Sequence, residues 1–167
     1  MSGTGTTLSA LERNWNMVRS AVSDVDEATM SIRPNADSNS MSWLVWHMSR
    51  VTDRFIHFRL QDLPQLWSKD AWYEKFAMPE DADDMGMGWS NERAATWQSP
   101  SKDILMDYFE ISNAAAAAYI GSLSDADLAR EIRWKDRKSV VEGKSVDLGG
   151  RRSIQKKKTK KKKKKKS

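Results

Sequence analysis

Between Asn39 and Leu60 the chain runs without a glycine or proline, and it opens Asn39-Ser40-Met41-Ser42-Trp43-Leu44-Val45-Trp46-His47-Met48-Ser49-Arg50. Within it Leu44, Met48, Val51, Phe55 and Phe58 recur at spacings of 4, 3, 4 and 3. That period places all five on one side of an α-helix, an apolar face that other helices must cover. Two further stretches carry the same signal. Leu8, Leu11, Trp15, Val18, Val22 and Val25 form a seam of about five turns behind a Thr6 or Thr7 cap. Ile104, Tyr108, Ile111, Ala115 and Ala118 come after Ser99-Pro100, read as an N-cap with proline at the first helical position, and Gly121 supplies a stop. Three amphipathic helices in up-down order are predicted.

The connections are marked by turn residues. Pro34 disfavours helix at Arg33, and Ser38, Asn39 or Ser40 is placed to cap the second helix. Asp62-Leu63-Pro64 ends that helix. From there to Pro100 the chain reads as irregular and rich in tryptophan (Trp67, Trp72, Trp89, Trp97), with an acidic, glycine-interrupted centre at Pro79–Gly88. Long connections of this kind are often functional. The tryptophans suit capping the end of a bundle, a role compatible with lining a pocket. Ser124-Asp125-Ala126-Asp127-Leu128 has the form of a fresh cap and a short helix start.

Charge divides the chain in two. Residues 1–135 hold 13 basic and 20 acidic side chains, a net of −7, whereas residues 136–167 hold 15 and 3, a net of +12. The overall +5 therefore describes neither part, and the body of the protein is acidic. A specific nucleic-acid interface in the body is not expected from it. With no cysteine in the sequence, disulfides and thiolate ligands are excluded. No secretory leader opens the chain and no run approaches a membrane span, so a cytoplasmic location without membrane attachment is expected.

After Lys135 the apolar stripe fails. The run Asp136-Arg137-Lys138-Ser139-Val140-Val141, together with the residues up to Ile154, resembles a translated sequencing-library adapter, and the terminal oligolysine is what poly-A read-through encodes. Residues 136–167 are accordingly read as a disordered basic tail and an assembly artefact that replaces the natural C-terminus. The rival reading is a genuine polybasic segment binding nucleic acid or anionic lipid by charge alone.

Residues 1 to about 134 resemble the DinB/YfiT family of four-helix-bundle metalloenzymes. The resemblance is carried by Asn39–Arg54, with its Trp43-Leu44-Val45-Trp46-His47 core, by Leu63-Pro64-Gln65-Leu66-Trp67-Ser68-Lys69-Asp70-Ala71-Trp72, and more weakly by Leu123–Leu128. It implies an all-α, up-down four-helix bundle whose fourth helix is missing here, so that residues 1–135 form an incomplete bundle. It also implies a divalent metal, zinc or nickel, held by three histidines: one on the second helix, matched by His47, and a His-x-x-x-His pair on the fourth. Some relatives are thiol-dependent S-transferases or isomerases using mycothiol or bacillithiol.

Here the chain departs from its family. Its second histidine is His57, ten residues on and about 80° around an ideal helix from His47, and it matches no ligand position. Asp53 as a substitute falls on the opposite side of the helix. His47 is the metal ligand the resemblance assigns, with Trp43, Trp46, Arg50 and Arg54 as pocket neighbours for positioning or anion binding. Other chemistry is absent: no nucleophile lies beside a base, and no glycine motif cradles phosphate. The carboxylates Glu80, Asp81, Asp83 and Asp84 lack calcium-loop spacing and read as a solvated loop.

Two functions are compatible with these features. One is a divalent-metal-dependent enzyme, an S-transferase or isomerase or a hydrolase acting on a small molecule, inactive in this form for want of two ligands. The other is a non-catalytic helical binding or dimerisation module with a structural His47, for which an apolar face left uncovered favours a homodimer.

Overall fold

The computed structural model describes residues 3–130. Both the absent fourth helix and the tail at 136–167 concern residues outside that range. Among the described residues the secondary structure is helical throughout, with no strand. The elements are α1 (Gly3–Val22), α2 (Glu27–Ser31), α3 (Met41–Asp53) continuing as a π-helical turn (Arg54–Leu60), α4 (Leu66–Lys69), α5 (Trp72–Lys75), α6 (Asn91–Thr96), α7 (Lys102–Ser122) and a 3₁₀ turn (Asp127–Ala129).

Caps fix most of the starts. The Ser40 hydroxyl accepts from Trp43 N, Asp26 from Thr29 N, Ser90 from Arg93 N and Ser101 from Ile104 N. Ser101 rather than Ser99 therefore caps α7, one residue after the proline that was expected inside the helix. Ser124 and Asp127 satisfy each other's backbone and hydroxyl groups, as expected of that short start. α1 begins earlier than Thr6 or Thr7, with Gly3 N held by Asp125 Oδ1 at 2.9 Å, and it ends at Val22, short of Val25. The stretch read as irregular contains α4, α5 and α6, helices of four to six residues that are too short to show a period.

α7 packs against both α1 and α3. It runs antiparallel to α1. Lys102 Nζ at the start of α7 donates to Val22 O, the last residue of α1, and to Val25 O just beyond it, and Arg19 pairs with Glu110. It runs parallel to α3: Tyr108 meets Arg50 and Asp53, Ile56 clusters with Ala116, and Tyr119 OH donates to Leu60 O. The simple up-down alternation thus holds from α1 to α3 and gives way at the crossover of residues 61–101, which returns the chain to the same end before α7 begins.

The buried face of α3 is not the apolar stripe. Ser42, Trp43, Val45, Trp46, Ser49, Arg50 and Asp53 are buried, while Leu44 and Met48 are 45% and 37% exposed. In α7 likewise the buried residues are Leu105, Tyr108, Phe109, Ser112, Asn113, Ala116 and Ile120, with Ile111 exposed. The physical reason lies in the crossover. Its tryptophans and loop carbonyls cover the side of α3 that bears Trp43, Trp46, Arg50 and Asp53, and they satisfy its charges on the spot. Trp46, Trp67 and Tyr108 anchor this core, with Trp67 5.7 Å from the Tyr108 ring and Trp46 5.1 Å from Trp89.

Candidate functional site

His47 sits half-buried on α3. Its ring stacks on Trp43, centroid to centroid 4.8 Å with 16° between the planes. Its Nδ1 meets the Met85 carbonyl oxygen. A carbonyl can only accept, so the proton of the neutral imidazole is on Nδ1 and the lone pair is on Nε2. An imidazole fixed by an aromatic face and a backbone acceptor is the arrangement that orients histidine as a ligand or base.

Two cavities meet at this ring. One, of about 260 Å³, lies among α1, α3 and α7 and is lined by Trp15, Val18, His47, Met48, Val51 and Phe109, with Asn113 beside them. Asn113 is 2% exposed and its Nδ2 has no partner among the described residues. The other, of about 290 Å³, is bounded by Asp37, Asn39, Trp43, His47, Trp89 and the Gly86–Gly88 turn.

The other expected neighbours are placed differently. Trp43 is in contact with His47, and Trp46 lies 6.1 Å from Trp43 in the core. Arg50 has no solvent exposure, and its donors go to protein atoms: Asp84 O at 3.2 Å, Asp81 O at 3.4 Å, Ala82 O at 3.0 Å, Gln65 Oε1 at 3.0 Å and the Tyr108 hydroxyl at 3.2 Å. It also stacks on Trp67 at 4.4 Å. Arg54 pairs with Asp83 Oδ1 at 2.8 Å. Neither arginine is arranged around His47 to receive an anion. They hold the 79–88 segment instead.

Asp53 is equally occupied. Its carboxylate accepts from Leu66 N (2.8 Å), Trp67 N (2.9 Å) and Tyr108 OH (2.8 Å). Burial pushes the Tyr108 hydroxyl well above its ordinary value of 10, against the pull of Arg50. His57 Nδ1 lies 3.0 Å from Asp53 Oδ1, close enough for an ion pair when protonated, but outside hydrogen-bond alignment. The rotation expected on an ideal helix does not apply to it, because the backbone turns π-helical at Arg54. The carboxylates of the acidic loop are likewise occupied, Asp81 accepting from Asp83 N, Asp83 pairing with Arg54, and Asp84 accepting from Gly86 N and Trp89 Nε1 and pairing with Arg93.

Among the described residues no three His, Asp or Glu side chains converge to hold a metal ion. The whole sequence has two histidines, and His57 faces Asp53. A three-histidine centre therefore does not fit this chain.

The network of Arg50, Asp53, Gln65 and Tyr108 was missed in the sequence, although a signal existed. Trp43, Trp46, Arg50 and Asp53 are spaced 3, 4 and 3, the same period as the apolar stripe beside them.

Fold and site together define a helical-bundle protein with one pre-oriented imidazole at the junction of two cavities. The chain belongs to the DinB superfamily, whose profile matches residues 10–146. Residues 136–146, within the matched span, lie outside the described structure. The fold is similar to that of a conserved protein from Enterococcus faecalis, with a TM-score of 0.68 and 26% identity over 75% of this chain and 74% of that one. No functionally curated protein matches. No helix among the described residues is long and apolar enough to cross a membrane.

Proposed function

We propose that this chain carries one ligand position of a DinB-like metal centre, His47 through Nε2, and that the centre is incomplete in this sequence. The observation that carries the proposal is the pairing of His47 Nδ1 with Met85 O, which leaves a lone pair on Nε2. The metal classes implied by the family are zinc and nickel, and the reaction classes are thiol-dependent transfer or isomerisation with mycothiol or bacillithiol, or hydrolysis, on a small molecule in the cytoplasm. With one imidazole and no cluster of further donors among the described residues, the chain as written is expected to bind metal weakly and not to turn over.

The test is equilibrium dialysis against zinc and nickel, with the bound metal counted in the protein and in His47→Ala. Weak binding lost in the variant supports the proposal. Stoichiometric metal retained by the variant overturns it, since the ligands then lie elsewhere.

The second reading is a helical binding or dimerisation module. It is favoured by the exposed Leu44 and Met48 next to the apolar cavity that His47 borders. Wild-type protein that takes up no metal and elutes as a dimer would favour this module.

A further inference from the structure

The carbonyl that sets His47 belongs to a segment with no regular element of its own. Residues 79–88 form turns, and a turn segment presses a carbonyl onto a histidine only if something holds it there. The holder is Arg50. Its guanidinium, rooted on α3 one turn from His47, reaches Asp81 O, Ala82 O and Asp84 O. Gln65 Nε2 adds a second bond to Ala82 O at 3.0 Å, and Gln65 Oε1 is itself held by Arg50.

Met85 is bracketed by anchors. On one side the Asp84 carbonyl accepts from Arg50 Nε. On the other, Gly86 N donates to Asp84 Oδ1 at 3.0 Å, and Gly86 lies flat against the indole pair. A Cβ there would stand 2.5 Å from Trp43 Cζ2 and 2.8 Å from Trp46 Cζ3, at a φ of +85°. Gly86 N belongs to the same peptide group as the Met85 oxygen that meets His47, so this anchor holds that group directly while the Asp84 carbonyl holds the peptide before it. A neutral histidine in water ordinarily carries its proton on Nε2, so the opposite tautomer requires a fixed acceptor at Nδ1.

We infer that Arg50 is a positioning residue for His47: by clamping the carbonyls of Asp81, Ala82 and Asp84 it fixes the Met85 carbonyl and thereby selects the Nδ1–H tautomer. The inference gives that tautomer its cause, and its use in metal binding rests on the proposed role of His47. The tautomer itself is readable without any metal. An arginine suits the task because its planar fork serves several carbonyls at once, whereas a lysine is a point donor.

The test is long-range ¹H–¹⁵N correlation on the metal-free protein labelled with ¹⁵N-histidine, at a pH where both imidazoles are neutral, with His57→Gln giving the assignment. In the wild type, His47 is expected as the Nδ1–H form. In Arg50→Lys the majority should pass to Nε2–H while the helical circular dichroism is retained. Arg54→Gln removes the bonds to Ala82 O and Asp83 O and the pair with the Asp83 carboxylate but leaves the Asp84 carbonyl held by Arg50, so it should leave His47 unchanged. If Arg50→Lys does not fold, Gln65→Met serves: it removes the second bond to Ala82 O and the acceptor that orients the Arg50 fork, and it too should raise the Nε2–H population. A wild-type His47 already in the Nε2–H form overturns the inference. So does a folded Arg50→Lys with unchanged nitrogen shifts, or an unchanged Gln65→Met where that variant has to decide. Retention of Nδ1–H in a protein that binds no metal overturns the metal-ligand reading alone.

Discussion

Arg50 and Asp53, both without solvent exposure and one helical turn apart, approach only to 3.5 Å between Nη1 and Oδ2. Each is drawn from the other by a different piece of the crossover: Arg50 by the carbonyls of residues 81–84, Asp53 by the amides of Leu66 and Trp67. The pair is the rivet through which α3 holds both loops. Tyr108 from α7 closes it, accepting from Arg50 and donating to Asp53.

Removing one charge leaves the other buried without compensation, a loss of about 3–5 kcal/mol in such pairs. Asp53→Ala is expected to destabilise the protein by that amount, and more than Asp83→Ala, which breaks the part-exposed pair with Arg54. Urea denaturation of the two variants measures the difference. Equal midpoints would show that the buried carboxylate carries no special weight.

Tyr108 predicts an alkaline limit. Its hydroxyl titrates well above 10 in the folded protein, while the unfolded chain deprotonates near the ordinary value. Below about pH 10 both states hold the proton and the stabilisation is fully present. As the pH rises from there through the folded value, the unfolded state binds fewer protons, and stability falls. In Tyr108→Phe this slope should vanish, leaving a protein less stable at neutral pH but flatter above about pH 10. Urea midpoints measured across the alkaline range test it.

Gly86 and Gly88 both have positive φ, at +85° and +76°, but their surroundings differ. A side chain at Gly86 would collide with Trp43 and Trp46, whereas nothing lies within 4 Å of the corresponding position at Gly88. Gly86→Ala is expected to cost about 1–3 kcal/mol and to shift tryptophan emission to the red. Gly88→Asn should cost well under that, since asparagine tolerates the left-handed region. Similar losses at the two sites would argue against close packing of the turn on the indoles.

The phase of α3 is testable by truncation. Trp46→Ala, at a fully buried position, is expected to lose about 3–5 kcal/mol, and Leu44→Ala, at a half-exposed one, about 0.5 kcal/mol or less. The reverse order in denaturation midpoints would restore the apolar stripe as the buried face.

The period of the three long helices, a cap among Ser38, Asn39 and Ser40, the break at Pro34 and the family resemblance centred on Trp43–His47 were all legible in the sequence, because each is a local property of spacing or of one residue's backbone preference. The phase of α3 was not. Two stripes with the same period run along it, and an apolar score chooses Leu44, Met48 and Val51 over Trp43, Trp46, Arg50 and Asp53. Nor was the direction of α7, since a long crossover hides which end of the bundle the chain returns to.

What decided these matters was tertiary structure. A buried arginine and aspartate are ruled out by composition until partners are supplied, and theirs come from Gln65, Leu66, Trp67, Tyr108 and residues 81–84, distant in the chain. His47 shows the same division. Its place on a helix and its neighbour Trp43 are set by sequence alone, while the tautomer that decides which nitrogen is free depends on a carbonyl 38 residues away. Hydrogen-bond satisfaction in a low-dielectric interior is a property of assembled surroundings, and no local pattern encodes it.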